Sequence, residues 1–580
     1  MGRQTRRQFL KTMGSAAVLP SAAGIAQLIA AEPRRPNVVL VITDDQGYGD
    51  LGCHGNPIIR TPNLDRLHAQ STRLTNFHVD PTCSPTRSAL MTGRYSSRTG
   101  VWHTIMGRSL LRADEVTMAD VFSRSGYRCG IFGKWHLGDN YPFRPQDRGF
   151  REVLIHRGGG VGQGPDYWGN DYFDDTYLRD GKLEKFDGYC TDVWFREAMK
   201  FIEANKDRPF FCYLPTNAPH GPYNVAEKYS KRYLDEGVPE NRARFYGMIT
   251  NIDENMGRLM YHLKRLGLHQ DTIVVFMTDN GTSAGDSAGM RGKKGSEYDG
   301  GHRVPCFIRW PGGGLAKAKD IDRLTGHIDL LPTLTELCGL KRPQGAKLDG
   351  DSLAPLLKDP AAGWPDRTLF VHSQRIEHPQ KWRKSAVMTE RWRLVNGKEL
   401  YDIQADPGQK KDIADKHCDV VAELRAAYDR WWSDISQRFD EYCEIVIGSD
   451  EQNPTRLMSH DWHCPNPPWS QGAVRNAAKA NGFWAVQVAR DGVYEFELRR
   501  WPKELDKPIN AGIPGGKAIN AVRARLKIAD VDTTMPIPSD AHSVAFRAQL
   551  KAGKTRLQTW FVDADGASRG AYYVYVKRLS

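Results

Sequence analysis

Four stretches of this chain are apolar without alternation for five or six residues and then break into polar chemistry. Val38–Ile42 runs into Thr43-Asp44-Asp45, and Tyr127–Phe132 runs into Gly133-Lys134-Trp135-His136. Phe210–Leu214 runs into Pro215-Thr216-Asn217-Ala218-Pro219-His220, and Thr272–Met277 runs into Thr278-Asp279-Asn280-Gly281. Continuous hydrophobicity over this length predicts strands covered on both faces, as in a mostly parallel sheet flanked by helices. Between them, residues 64–70, 117–125, 192–204 and 244–266 place apolar side chains three and four apart, the period of an amphipathic helix. Alternating strand and helix predicts an α/β fold. Ligands in such folds bind beyond the carboxyl ends of the strands, where all four polar groups fall.

The pattern changes further along. Cys306–Trp310 is another apolar run, and His327 to Leu334 reads as a helix start beneath the sheet. Residues 385–388, 392–396 and 399–402 suggest short antiparallel strands, followed by an amphipathic helix over 420–432. Beyond residue 440 the period becomes two: Tyr494, Phe496 and Leu498; Val522, Ala524, Leu526 and Ile528; Val544, Phe546 and Leu550; Tyr572, Val574 and Val576. Turn signals at Asp491-Gly492, Lys551-Ala552-Gly553 and Asp565-Gly566 separate some of these runs and predict a small β-sandwich. The expected layout is a leader over 1–31, an α/β domain over 34–365, an antiparallel α+β subdomain over 366–438 and the sandwich over 440–580. Trp462, Trp469, Trp484, Trp501 and Trp560 either fill the sandwich core or stack on sugar rings.

At 580 residues the chain exceeds a single core. Its first segment, Thr5-Arg6-Arg7-Gln8-Phe9-Leu10-Lys11, precedes an Ala/Gly-rich run from Met13 to Ala31 and resembles a twin-arginine export signal cleaved near Ala30 or Ala31. Pro20, the glycines and the many alanines suit a signal better than a membrane anchor. The expected partner is the twin-arginine translocase, and the expected location is periplasmic or secreted. Ten cysteines with no C-x-x-C pair are too sparse for a disulfide framework, so buried free thiols are expected, with Cys83 apart. The formal charge is +12, and removing the leader's four basic residues leaves about +8. That balance suits a polyanionic substrate, nucleic acid or anionic lipid alike. No zinc-finger spacing or aromatic-and-basic RNA motif appears, which removes the nucleic-acid reading.

The most informative segment is Cys83-Ser84-Pro85-Thr86-Arg87, continuing to Thr92-Gly93-Arg94. Proline near a first helical position, an arginine one turn after the cysteine and a glycine stop place Cys83 and Arg87 on one face at a helix N-terminus, a site for an anion. This C-x-P-x-R pattern resembles the sulfatase motif. Thr43–Asp50, Gly133–His136, Ala218–His220, Thr278–Gly281, Arg291–Gly295 and Tyr298–Pro305 look like that family's other blocks, in the right order over residues 36 to 435.

The resemblance implies an alkaline-phosphatase-like fold and hydrolysis of a sulfate ester on a carbohydrate or aryl group. It implies that a maturation enzyme oxidises Cys83 to formylglycine. One hydroxyl of the aldehyde's hydrate would then attack sulfur, and the second would let the aldehyde re-form with release of sulfate. Asp44, Asp45, Asp279 and Asn280, with residue 83, would hold Ca²⁺, or Mg²⁺ with added waters, because these ligands are hard oxygens without a His/Cys cluster. Arg87 would hold the hydrate, Lys134 and Lys294 would neutralise sulfate oxygens, His136 would take the proton that triggers release, and His220, with Lys294, would protonate the leaving alcohol. His103 and His302 fall near these blocks as pocket residues or packed histidines, Lys293 could share the task of Lys294, and Asp50 and His54 read as structural. Two rival readings remain open at this point: a phosphate or phosphonate monoester hydrolase, and a catalytically silent glycan-binding homologue.

Overall fold

The computed structural model describes residues 35–580, so the twin-arginine segment lies outside the described residues. Five parallel strands form the centre of a ten-stranded sheet: β1 (Asn37–Thr43), β2 (Arg128–Lys134), β3 (Glu152–His156), β4 (Phe210–Pro215) and β5 (Thr272–Thr278). Their spatial order is β5-β1-β4-β2-β3, all neighbours parallel. Antiparallel Cys306–Arg309, then Thr72–Leu74 and Lys319–Ile321, extend one edge; the hairpin Thr176–Arg179/Lys182–Lys185 extends the other.

Every residue of β1, β4 and β5 is buried, as continuous apolar runs require. Successive side chains still point to opposite faces. Val38, Leu40 and Ile42 join Ile131, Tyr213 and Val275 on one face, under helices α1 (Cys83–Thr92), α2 (Met118–Arg124) and α5 (Leu330–Leu337). Val39 and Val41 join Phe132, Cys212 and Phe276 on the other, under α3 (Cys190–Ala204) and α4 (Glu240–Arg265). Helix α2 begins where a capping box forms between Thr117 and Asp120, and the helix read near residue 64 starts earlier, at Pro62.

Register fixes the site. Thr43 lies opposite Thr278, Ile42 opposite Pro215, and Lys134 opposite His156. The four polar segments therefore leave the sheet at one level and on one edge. Lys134, expected just past its strand, is the last residue of β2. Gly133 permits this: at φ 130° it packs so closely on β4 that a Cβ would lie 2.0 Å from the Pro215 carbonyl oxygen.

Leu369–His372, Ser385–Met388, Trp392–Val395 and Glu399–Asp402 form an antiparallel sheet covered by α6 (Cys418–Ile435). After residue 440, a six-stranded and a four-stranded sheet enclose a common core of Trp484, Val486, Leu526 and Phe561 against Leu457, Phe496, Phe546 and Val574. Leu110 and Phe143 of the α/β half enter that same core, and Pro36–Ser580 packs as one unit.

Two sequence expectations need correction here. Val522 does not face the sandwich core: the register shifts between Ala521 and Arg523, so Ala521 is buried and Val522 is 39% exposed. Free thiols are found as expected, but burial is not uniform: Cys418 is exposed, and Cys53 and Cys464 are only partly covered. Among the described residues no helix is long and apolar enough to cross a membrane.

Candidate active site

Cys83 is the first residue of α1, after Thr82 in extended conformation at φ −146°. No side chain caps this N-terminus, and the helix ends at Gly93 in the left-handed region at φ 66°. Open first-turn amides and the helix dipole favour negative charge beside Cys83. One turn on, the fully buried Arg87 donates from Nη2 to Asp279 Oδ2 at 2.8 Å and from Nη1 to the Lys134 carbonyl at 3.1 Å.

Asp44, Asp45 and Asp279 bring carboxylate oxygens within 4.8 Å of one another. Lys134 Nζ meets Asp44 Oδ2 at 2.6 Å, and Lys294 Nζ meets Asp45 Oδ1 at 2.5 Å. The Asn280 amide donates to Asp45 Oδ1 at 2.9 Å, and the Asp45 amide donates to Asp279 Oδ1 at 3.1 Å. Burial opposes the charge on Asp44, but Lys134, His220, Arg87 and Lys294 together outweigh it and hold the carboxyl well below the usual range. Burial and the neighbouring Asp44 push Asp279 the other way, upward. Like charges this close do not all ionise without a counter-charge.

That frustration bears on a cation. Asp44 Oδ1 and Asn280 Oδ1 are buried without a hydrogen-bond partner, a costly state unless something else meets them. Three carboxylates and an amide oxygen are a hard donor set suited to Ca²⁺ or Mg²⁺. The residues fit the group.

Cys83, His136, His220 and Lys294 line one pocket of about 140 Å³. His136 sits at φ 59° and Asp45 at φ 70°, left-handed conformations that cost non-glycine residues roughly 1–3 kcal/mol each. The His136 Nε2–H donates to the Thr104 carbonyl at 2.8 Å, which leaves Nδ1 with its lone pair, buried and without a partner. Burial, reinforced by Lys134, moves its pKa well below the usual value, so the ring is a neutral base. His220 donates from Nδ1 to the Gly221 carbonyl at 2.6 Å and turns Nε2 toward Asp45 Oδ2, 3.9 Å away. Burial and Lys294 lower its pKa, while Asp45 and Asp44 work against the shift.

The ten residues given catalytic or metal roles in sequence thus converge, but on two levels. Arg87, Lys134, Asp44, Asp45, Asp279 and Asn280 form the buried floor, and Cys83, His136, His220 and Lys294 face the opening. Lys293 reaches the Gly285 carbonyl instead. His103 is at the mouth of the site. His302 is packed, with Nδ1 2.9 Å from His78 Nδ1. His78, Asp299 and His302 also cluster, but there the Arg393 guanidinium bonds both Asp299 and His78 and supplies the positive charge. Asp50 accepts from the Gly47 and Asp286 amides, and His54 Nδ1 lies 2.8 Å from the Tyr48 carbonyl, so both are structural.

Thr104, Gly159, Gln163 and Arg375 also line the pocket and were not singled out in sequence. They lie on loops between elements, where no period marks them. At Gly159 a Cβ would fall 2.3 Å from His136 Cε1, so the missing side chain is what admits the imidazole.

The sulfatase family model matches residues 36–340, and the model for the C-terminal part of N-sulphoglucosamine sulphohydrolase matches 293–431. Human arylsulfatase A is 33% identical over 482 residues, covering 76% of this chain and 88% of that protein. An ulvan-active sulfatase from Formosa agariphila is 31% identical over 418 residues, covering 66% of this chain and 78% of its own. The crystal structure of Ps i-CgsB in complex with k-i-k-neocarrahexaose superposes with a TM-score of 0.65 at 28% identity, over 71% of this chain and 95% of that one. A phosphonate monoester hydrolase of Agrobacterium radiobacter shares the fold alone, at 22% identity and a TM-score of 0.51. The fold and site define a hydrolase with an alkaline-phosphatase-like α/β core. The chain belongs to the sulfatase family, and its enzyme class is sulfatase.

Proposed function

We propose that this sulfatase removes sulfate from a sulfated carbohydrate, with residue 83 acting as formylglycine and a divalent cation held by Asp44, Asp45, Asp279 and Asn280. The observation that carries this reading is the convergence of one cysteine at an open helix N-terminus with a buried carboxylate cluster in which Asp44 Oδ1 and Asn280 Oδ1 have no hydrogen-bond partner. Ca²⁺ is the preferred ion and Mg²⁺ the alternative, since the donors are oxygens. When bound, the cation neutralises ester oxygens and lowers the pKa of a hydroxyl at residue 83.

The protein's own groups do the rest. Arg87 and Lys134 hold the carboxylate floor in place through Asp279 and Asp44. Lys294 stays charged, because Asp45, and more weakly Asp44, overcome the cost of its burial. It is therefore suited to bind the ester's anionic oxygens as charge builds in the transition state. His136 Nδ1 is free to accept a proton from residue 83. His220 Nε2 turns toward Asp45 with its side chain 20% accessible, so it can take up a proton from solvent and pass it to the leaving oxygen. Two separate histidines suit a reaction in which one oxygen gains a proton while another loses one.

Oxidation of the Cys83 thiol falls to a separate maturation enzyme, and export falls to the twin-arginine translocase. The carbohydrate reading is supported by the two glycan-named relatives, the ulvan-active sulfatase and the neocarrahexaose complex, and by the basic charge of the chain. Mass spectrometry of the Cys83 peptide from active protein, joined to rates on paired aryl sulfate and aryl phosphate esters, tests the proposal. An aldehyde at residue 83 and a sulfate preference are expected. An unmodified thiol in active protein, or a preference for phosphate, contradicts it.

A further inference from the structure

Outside the pocket at Cys83 lies a second, larger space. It has a volume of about 510 Å³, against about 140 Å³ for the inner pocket. Only the larger falls in the size range of sites that enclose a ligand of several rings or groups. The two are continuous, because Ile105, Lys294, Arg375 and Trp469 line both. Four parts of the chain meet here: the loop carrying His103 and Ile105, the loop after β5, the hairpin loop 373–384 of the antiparallel subdomain, and the segment 465–469 of the sandwich.

The chemistry of this groove is one-sided. Its lining includes Lys294, Arg375, Arg383 and Lys384 and contains no carboxylate. Among the described residues, no ion pair engages Arg375, Arg383 or Lys384, although most other arginines near the site are paired. Gathering unpaired cations is unfavourable in the free protein and becomes favourable when an anion enters.

Both walls are rigid. On one, the buried Gln374 side chain donates to the Gln380 and Arg383 carbonyls at 3.1 and 3.2 Å and accepts from the Gln380 amide at 2.8 Å. Arg375 and Lys384 are held at φ 38° and 40°, backbone conformations that are retained when surrounding contacts impose them. On the other wall, the run Pro465-Asn466-Pro467-Pro468-Trp469 is stiffened by three prolines. The Pro468 carbonyl accepts from Ser459 Oγ at 2.6 Å, and the Trp469 carbonyl accepts from the Gly164 amide at 2.9 Å. The Trp469 side chain is left 45% exposed, unlike the fully buried Trp462, Trp484 and Trp501 of the same domain. An indole face is suited to the apolar C–H face of a pyranose ring.

We infer that this groove is a second sugar subsite. It takes the residue next to the one being desulfated, stacking it on Trp469 and binding a second anionic group, sulfate or carboxylate, between Arg375, Arg383 and Lys384. The substrate class is then a chain-like carbohydrate with an anion on at least two adjoining sugars. The sandwich serves as a wall of the cleft through its 465–469 segment. The inference rests on the sulfatase reading and refines its substrate.

Binding tests it without turnover. The full chain carrying Cys83→Ser is titrated by calorimetry with sulfated hexasaccharides of the carrageenan, ulvan and chondroitin types and with monosulfated monosaccharides. At least one hexasaccharide is expected to bind at least tenfold more tightly than its monosaccharide. Trp469→Ala and the pair Arg383→Gln/Lys384→Gln, checked for unchanged melting temperature, are each expected to erase that advantage. A hexasaccharide desulfated except at one end, with its uronates retained, separates the two anions: retained advantage assigns the subsite to carboxylate, lost advantage to sulfate. An advantage that survives in both variants, or no advantage for any hexasaccharide, overturns the inference. Failure of the unsubstituted protein to cleave any sulfate ester would instead refute the sulfatase reading, whatever the titrations give.

Discussion

The floor of the site and the groove outside it hold charge by opposite rules. On the floor, Arg87, Lys134 and the carboxylates are fully buried and matched to one another at 2.6–2.8 Å. Breaking such a buried pair by removing one partner costs about 3–5 kcal/mol, so the floor is at once chemistry and scaffold. In the groove, Arg375 and Lys384 are exposed and Arg383 is half-buried at the two ends of the 373–384 loop, and none of them meets a carboxylate. The first arrangement is specified by strand register, and the second by where loops from four segments meet. The floor is therefore expected to be intolerant of change in both stability and activity. The groove is expected to alter substrate choice with little effect on the fold.

Substitution at residue 83 sharpens that contrast most. Cys83→Ala is expected to reduce turnover of an aryl sulfate by a factor on the order of a thousand or more, with a near-native melting temperature, since the nucleophile is lost while helix α1 stays packed. Retained turnover removes residue 83 as the nucleophile. Next, Trp484→Ala in the sandwich core is expected to destabilise the protein by about 3–5 kcal/mol in denaturant titrations. A cost near zero would mean that the sandwich is not packed around this residue. Gly159→Ala is smaller in stability and more selective in rate. Its Cβ collides with His136, so kcat should fall by roughly ten- to a hundredfold with little change in melting temperature. An unaffected kcat would remove His136 from its proton-accepting place.

The mildest effect concerns pH. Burial lowers His372 to about 4 from 6.5, Asp80 opposing only weakly. The unfolded chain therefore binds a proton there between pH 6.5 and about 4 that the folded protein refuses, so this contribution to stability is present above 6.5 and lost as pH falls. The stability difference between wild type and His372→Gln, measured by denaturant titration, should favour wild type most near pH 7.5 and shrink toward pH 4. A difference independent of pH contradicts the neutral, buried state.

Much of the floor is legible in sequence, because a buried parallel strand must be apolar throughout and its ligands must sit at the end of the run. Asp44, Asp279 and Lys134 of the floor, and His220 above it, are all read that way. Cys83 is read from helix-start chemistry, with Pro85 inside the first turn and Gly93 past the last. The outer groove is less legible. Arg375 and Lys384 occupy left-handed loop positions that no periodicity marks. Trp469 was one of five tryptophans with the same two possible fates, and only three-dimensional packing leaves it in the open while Trp462, Trp484 and Trp501 close the core. Val522 departs from the period-two pattern because the register shift between Ala521 and Arg523 inserts one residue and turns it outward.

The claim on which the rest depends is that carboxylates delivered by β1 and β5 form a cradle for one divalent cation beside residue 83. Calorimetric titration of Ca²⁺ into the metal-stripped full chain at neutral pH tests it most directly. One saturable site per chain is expected, abolished by Asp44→Asn combined with Asp279→Asn. The absence of a saturable site in the wild type, or a site that binds equally well in the double variant, would contradict it.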